Sequence, residues 1–199
     1  MKALLLIDIQ NDFLPGGALA VPAGDEVVAI ANDLMRSHDR VVATQDWHPA
    51  DHGSFAINHP GCQVFETIDW HGLPQTLWPA HCVQNTGGAC FAPGLDTRRI
   101  ERIFPKGMNR DIDSYSGFFD NGHRQDTGLA AWLRHQGVRA ITLAGLATDY
   151  CVLFTGLDAL AEGFRVTLHR PACRGVELRP GDSEAALARL HEAGARIES

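Results

Sequence analysis

Cys151 stands at the end of Leu146-Ala147-Thr148-Asp149-Tyr150-Cys151, where an apolar run from Ala140 to Ala144 gives way to a helical pattern reaching about Gly163. That junction predicts a thiol in the first turn of a helix. Free main-chain N–H groups and the positive end of the helix dipole there favour a thiolate over a thiol. The matching chemistry is nucleophilic attack on a carbonyl carbon, which also needs a base and donors for the developing oxyanion. Asp8 serves as base if burial raises its proton affinity, Lys106 keeps that carboxylate ionised and in place, and main-chain N–H groups near Ala147 and Cys151 face the oxyanion. No Ser-His-Asp set or Gly-x-Ser-x-Gly elbow competes with this arrangement.

Asp46-Trp47-His48 is a second constellation. On extended backbone, residues two apart point the same way, so a carboxylate and an imidazole converge on one ion. The third ligand could come from His52, His59, His71 or His81. His81 has the most rigid setting, Trp78-Pro79-Ala80-His81-Cys82. Two His and one carboxylate with open positions suit zinc or iron, and manganese less well. The plain alternatives are a packing cysteine, a turn carboxylate, a solvated lysine and a chance pairing among ten histidines.

The elements that must position these groups alternate along the chain. Strand-length apolar runs cover Ala3 to Ile9, Val41 to Thr44, Arg102 to Phe104, Ala140 to Ala144, Arg165 to Leu168 and Ala195 to Ile197; helix-period segments cover Asp25 to Ser37, Thr127 to Gln136, Asp149 to Glu162 and Ser183 to Glu192. This alternation predicts a three-layer α/β/α fold with a mostly parallel sheet of about six strands. Such sheets bind ligands beyond the carboxyl ends of their strands, and Asp8, Asp46, His48, Lys106 and Cys151 all fall at that edge. Residues from about 48 to 100 are too long a stretch for a passive connection and are expected to fold over the site as a functional loop or lid.

With 45% hydrophobic and 21% charged residues in a chain of 199, a single globular domain over 1–199 is expected rather than disorder or a repeat array. A net charge of −7, with no long run of Lys or Arg, argues against a nucleic-acid or membrane-surface partner. The apolar start stops at Asp8 without a cleavage signal and reads as a first strand. Five cysteines with no paired framework point to a reducing, cytoplasmic setting.

With those residues in view, the chain resembles the nicotinamidase/pyrazinamidase branch of the isochorismatase-like cysteine hydrolases. The resemblance runs through Asp8-Ile9-Gln10-Asn11-Asp12-Phe13, Gln45-Asp46-Trp47-His48-Pro49, Trp78-Pro79-Ala80-His81-Cys82-Val83-Gln84, Lys106-Gly107, Asp113-Ser114-Tyr115-Ser116-Gly117-Phe118 and Gly145 to Val152. It implies a triad of Asp8, Lys106 and Cys151, metal ligands Asp46, His48 and His81, and aromatic substrate walls at Phe13, Trp78 and Tyr115. It also implies a non-proline cis peptide at Leu146-Ala147, aiming the Ala147 and Cys151 amides at the oxyanion. Ser54 stands where some relatives carry a fourth ligand, His, so contact through water is the expectation there, with His52 an outside candidate. The implied activity is conversion of nicotinamide to nicotinic acid and ammonia through a thioester in NAD salvage, with pyrazinamide also hydrolysed and one divalent ion, zinc before iron or manganese. A homo-oligomer is compatible with this. The competing readings are another superfamily hydrolase acting on a ureido or carbamoyl substrate or on isochorismate, a non-haem iron oxygenase, which requires a β-sandwich, and a non-catalytic binding domain.

Overall fold

A computed structural model describes residues 1–199. Six strands form one sheet in the order β5-β2-β1-β6-β7-β8. They are β1 (Lys2–Ile7), β2 (Arg40–Asp46), β5 (Arg102–Lys106), β6 (Ala140–Leu146), β7 (Arg165–Arg174) and β8 (Arg196–Glu198), and every pairing between them is parallel. Ala3 to Ile7 are completely buried, as expected of a central strand covered on both faces.

Side-chain alternation divides the core. Ala3, Leu5 and Ile7 pack on one face with Leu129 and Leu133 of α2 (Leu129–His135), Leu153 and Ala159 of α3 (Leu153–Ala161), and Leu187 and Leu190 of α4 (Asp182–Glu192). Leu4 and Leu6 turn to the other face, where α1 (Glu26–Met35) buries Val27, Ala31 and Met35 at one-turn spacing. Each large side chain of that stripe contributes on the order of 1.5–3 kcal/mol. The rest of this second face is covered by Trp78, Cys82, Ala89, Ala92 and Leu95 from the long connection. That segment is therefore a packed layer as well as a source of site residues.

Several boundaries differ from the sequence expectation. The long connection contains an antiparallel hairpin, β3 (Thr67–Trp70) and β4 (Leu73–Thr76), turned by His71 and Gly72 at φ 53° and 79°. Pro74 and the short strand length concealed it. Strand β7 runs past Leu168 to Arg174, through Pro171, with a register shift against β6 between Leu143 and Gly145. Asp46 and Lys106 are the last residues of their strands rather than residues that follow them. Cys151 lies in a π-helical turn, Thr148–Val152, ahead of α3, and not in the first turn of a longer α-helix. No helix is long and apolar enough to cross a membrane.

Candidate active site

The carboxyl edge of the sheet brings the predicted groups together. Asp8 is the residue after β1, at φ 48° and fully buried. It accepts a 2.7 Å hydrogen bond from Thr44 Oγ1, and Lys106 Nζ lies 2.9 Å from its other oxygen. The same Nζ donates to Asp46 Oδ1, to the Ser114 carbonyl at 2.9 Å and towards Cys151 Sγ at 3.3 Å. Asp8, Asp46 and Cys151 present reactive atoms within 4.8 Å of one another. The approach of β6 to β1 beside Asp8 requires Gly145: at φ 134°, an added Cβ would stand 2.1 Å from the Ile7 carbonyl oxygen.

Protonation follows from burial and these charges. Burial works against the Lys106 ammonium, but Asp46 and Asp8 outweigh it and hold its pKa well above the ordinary lysine value. Burial raises Asp8 above the ordinary 3.8, against the pull of Lys106 and with the help of Asp46. Asp46 goes the other way: Lys106 and His48 overcome its burial and keep it well below the usual carboxylate range. Burial pushes the Cys151 thiol well up, Lys106 opposes, and Asp8 and Asp46 push further in the same direction. Burial and the two carboxylates thus outweigh the pull of a helix terminus towards a thiolate. Both shifts favour a neutral Cys151 thiol beside a carboxylate of raised proton affinity, an arrangement that could pass a proton from sulfur to Asp8.

Asp46 also faces the two histidines. His48 Nε2 is 3.6 Å and His81 Nε2 3.8 Å from Asp46 Oδ2. Ligands about 2.1 Å from a common ion stand roughly 3–3.5 Å apart, so a small contraction completes the set. Carbonyls fix both rings from behind, Gly107 O at 2.9 Å from His48 Nδ1 and Pro79 O at 2.8 Å from His81 Nδ1. Each Nδ1 therefore carries the hydrogen and each Nε2 presents its lone pair, as outer partners of metal-bound imidazoles do. The residues fit a divalent cation. Burial lowers the His48 pKa but Asp46 outweighs it and raises it above the ordinary 6.5, so a proton competes with a cation for Nε2. Gly107, at φ 65°, permits the contact, since a Cβ would fall 2.3 Å from His48 Cε1.

A cavity of about 30 Å³ joins the two halves. Phe13, Trp78 and Tyr115 line it with Asp46, His48, His81, Ala147 and Cys151. Larger clefts of 580 and 530 Å³ elsewhere contain none of Asp8, Lys106 and Cys151, so chemistry and not volume selects this site. Trp78 Nε1 donates to Tyr115 Oη at 3.2 Å. Leu146-Ala147 is cis.

Ser54 is buried but is not in the metal group; its Oγ lies 2.7 Å from His52 Nδ1. It is His52 that stands against the cluster, with a ring centroid 4.4 Å from that of His48, and burial, then His48, lowers its pKa to about 4. His59 and His71 take no part, binding the Gly53 carbonyl and approaching Asp111 respectively. Sequence reasoning missed Leu19, Asp113, Tyr150 and Val176 on the cavity wall. It also missed two braces. The Gln10 side chain accepts from Asp46 N at 2.8 Å and donates to Asp46 O at 2.8 Å, and Asp12 accepts from Cys82 N at 2.6 Å, beside His81. The alternation Asp8, Gln10, Asp12 straight after an apolar strand was the available signal.

The sheet order excludes the β-sandwich required by the oxygenase reading. The isochorismatase domain profile matches residues 2–199. A nicotinamidase of Escherichia coli K12 is 50% identical over 200 residues, covering 98% of this chain and 93% of that protein. A solved nicotinamidase/pyrazinamidase of Acinetobacter baumannii superposes with a TM-score of 0.95 at 42% identity, over 98% of this chain and 94% of the other. A pyrazinamidase of Pyrococcus horikoshii, crystallised in complex with zinc, gives a TM-score of 0.82 at 38% identity over 100% and 98%. With these matches and this carboxyl-edge geometry, the chain belongs to the isochorismatase family, as a hydrolase of its nicotinamidase branch.

Proposed function

We propose that the chain hydrolyses nicotinamide, and also pyrazinamide, through a thioester on Cys151 and with one divalent ion, zinc first, held by Asp46, His48 and His81. The observation that carries this reading is the single contact centre at Lys106 Nζ, which lies 2.9 Å from Asp8 and 3.3 Å from Cys151 Sγ while donating to Asp46.

Asp8 takes the thiol proton as sulfur attacks the carboxamide carbon. The oxyanion forms beside the Ala147 and Cys151 amides. The carbon–nitrogen bond then breaks, and Asp8 returns its proton to the departing nitrogen, releasing ammonia. In the second half Asp8 takes a proton from the attacking water, the carbon–sulfur bond breaks, and Asp8 reprotonates the sulfur. Lys106 stays charged throughout and keeps Asp8 oriented. Phe13, Trp78 and Tyr115 hold the planar ring. When bound, the ion supplies a Lewis-acid anchor for a ring nitrogen and for water.

The zinc-bound relative supports the metal assignment. Five free cysteines fit a reducing cytoplasm, where the reaction would return nicotinamide to NAD synthesis. The test of the thioester is intact-mass and peptide analysis of protein quenched with acid during turnover. A nicotinoyl group on Cys151 supports the reading, and rapid turnover with no adduct at any time counts against it.

A further inference from the structure

The Ser54 main-chain N–H donates to His52 Nδ1 across 3.2 Å, and Ser54 Oγ is 2.7 Å from the same nitrogen. A ring nitrogen that accepts an N–H carries no hydrogen, so the neutral His52 ring has its hydrogen on Nε2. That N–H is buried and meets no acceptor in the protein. Such a group is costly to bury unless something satisfies it. Phe55 closes one side, with its ring centroid 5.6 Å from that of His52. On the polar side, His48, His52 and Asp113 present ligand-type atoms within 4.8 Å of one another.

Asp113 is committed only in part. One of its oxygens accepts from Ser114 N at 2.7 Å and the other from Gln75 Nε2 at 3.1 Å, which leaves lone pairs on both. The same residue lines the reaction cavity beside His48. A buried donor, a buried carboxylate and a ring of the proposed metal set thus converge within 4.8 Å of one another, a grouping of polar atoms that one ordered water can bridge.

We propose that His52 is a positioning residue, donating from Nε2 to a water shared with Asp113 and facing the open side of the ion held by Asp46, His48 and His81. His52 is then outside the ligand set. To ligate through Nε2 it would have to move its hydrogen to Nδ1, against the Ser54 N–H. The inference rests on the metal reading above and assigns the outer half of that site.

The test is zinc affinity, by competition with a chelator, for wild type, His52→Leu, His52→Gln and Asp113→Asn. It is paired with the visible absorption of the cobalt-substituted proteins. The Gln amide places an N–H near the position of Nε2, whereas Leu fills the space without a donor. Loss of an outer partner weakens metal binding about 10- to 100-fold, so that loss is expected for His52→Leu and Asp113→Asn. His52→Gln should remain within a few-fold of wild type and keep its cobalt spectrum. Zinc binding unchanged in His52→Leu would overturn the proposal, as would His52→Gln losing affinity and spectrum as far as His52→Leu. If wild type takes up no zinc, the metal reading itself fails and carries this inference down with it. If wild type binds zinc and only the variant pattern is wrong, this inference alone fails.

Discussion

Asp46 and Lys106 are register partners across β2 and β5, the last residue of one strand opposite the last residue of the other, and their side chains meet as a buried ion pair. Parallel pairing therefore delivers the charge contact directly. Asp46 uses its two oxygens differently, Oδ1 for Lys106 and Oδ2 towards His48 and His81. It is the side chain common to two buried groups, one with Asp8 and Cys151 and one with His48 and His81.

Removing the cation from this centre should be costly. Lys106→Met leaves Asp8 and Asp46 as close, buried, uncompensated carboxylates, and breaking a buried pair in this way costs about 3–5 kcal/mol. Urea unfolding at neutral pH measures it. A loss below about 1 kcal/mol, the range of exposed ion pairs, would contradict the buried-centre account.

The pH dependence has a definite sign. Asp8 must be ionised to accept the thiol proton, and its pKa is raised above the ordinary 3.8. Activity should therefore fall as pH drops through a point above that ordinary value, and kcat/KM against pH locates it. An acidic limb at or below 3.8 would remove Asp8 from the role of base.

Thiol reactivity separates a resting thiol from a resting thiolate. Cys90 is exposed, Cys173 is buried with its pKa pushed up to about 12, and burial likewise raises Cys151. Iodoacetamide at neutral pH, read by peptide mapping, should label Cys90 first and the buried Cys82 and Cys173 last, with Cys151 labelling accelerating as pH rises. Fastest labelling of Cys151 at neutral pH would mean that its thiolate is preformed.

Gly107→Ala tests the support of His48. The added Cβ would meet His48 Cε1 at 2.3 Å from a backbone at φ 65°. Strain of this kind costs on the order of 1–3 kcal/mol, and the displaced imidazole should lower zinc affinity. Denaturant midpoints and zinc titration report the two effects, and wild-type values in both would show that the ring yields freely.

How far the sequence reached depends on how local each feature is. Strand-length apolar runs and one-turn stripes such as Val27, Ala31 and Met35 are local, so the parallel sheet and its helices were legible. The strand-end rule places Asp8, Asp46, His48, Lys106 and Cys151 at one sheet edge from the sequence alone. The Thr67–Trp70 and Leu73–Thr76 hairpin was hidden because its strands are short and carry Pro74. The helix-terminus contribution to Cys151 is visible in sequence, whereas the burial and the two carboxylates from other strands that raise its pKa are not. His52 and Asp113 lie far apart in sequence, and only folding sets them around one space.

The central claim is tested most directly by ammonia release from nicotinamide, measured with purified, metal-analysed protein beside Cys151→Ala. Release by the wild type and its loss in a folded, metal-loaded variant are the predicted results. Comparable release from Cys151→Ala would contradict the cysteine mechanism, and no release from folded, metal-loaded wild type would contradict the assignment of nicotinamide as substrate.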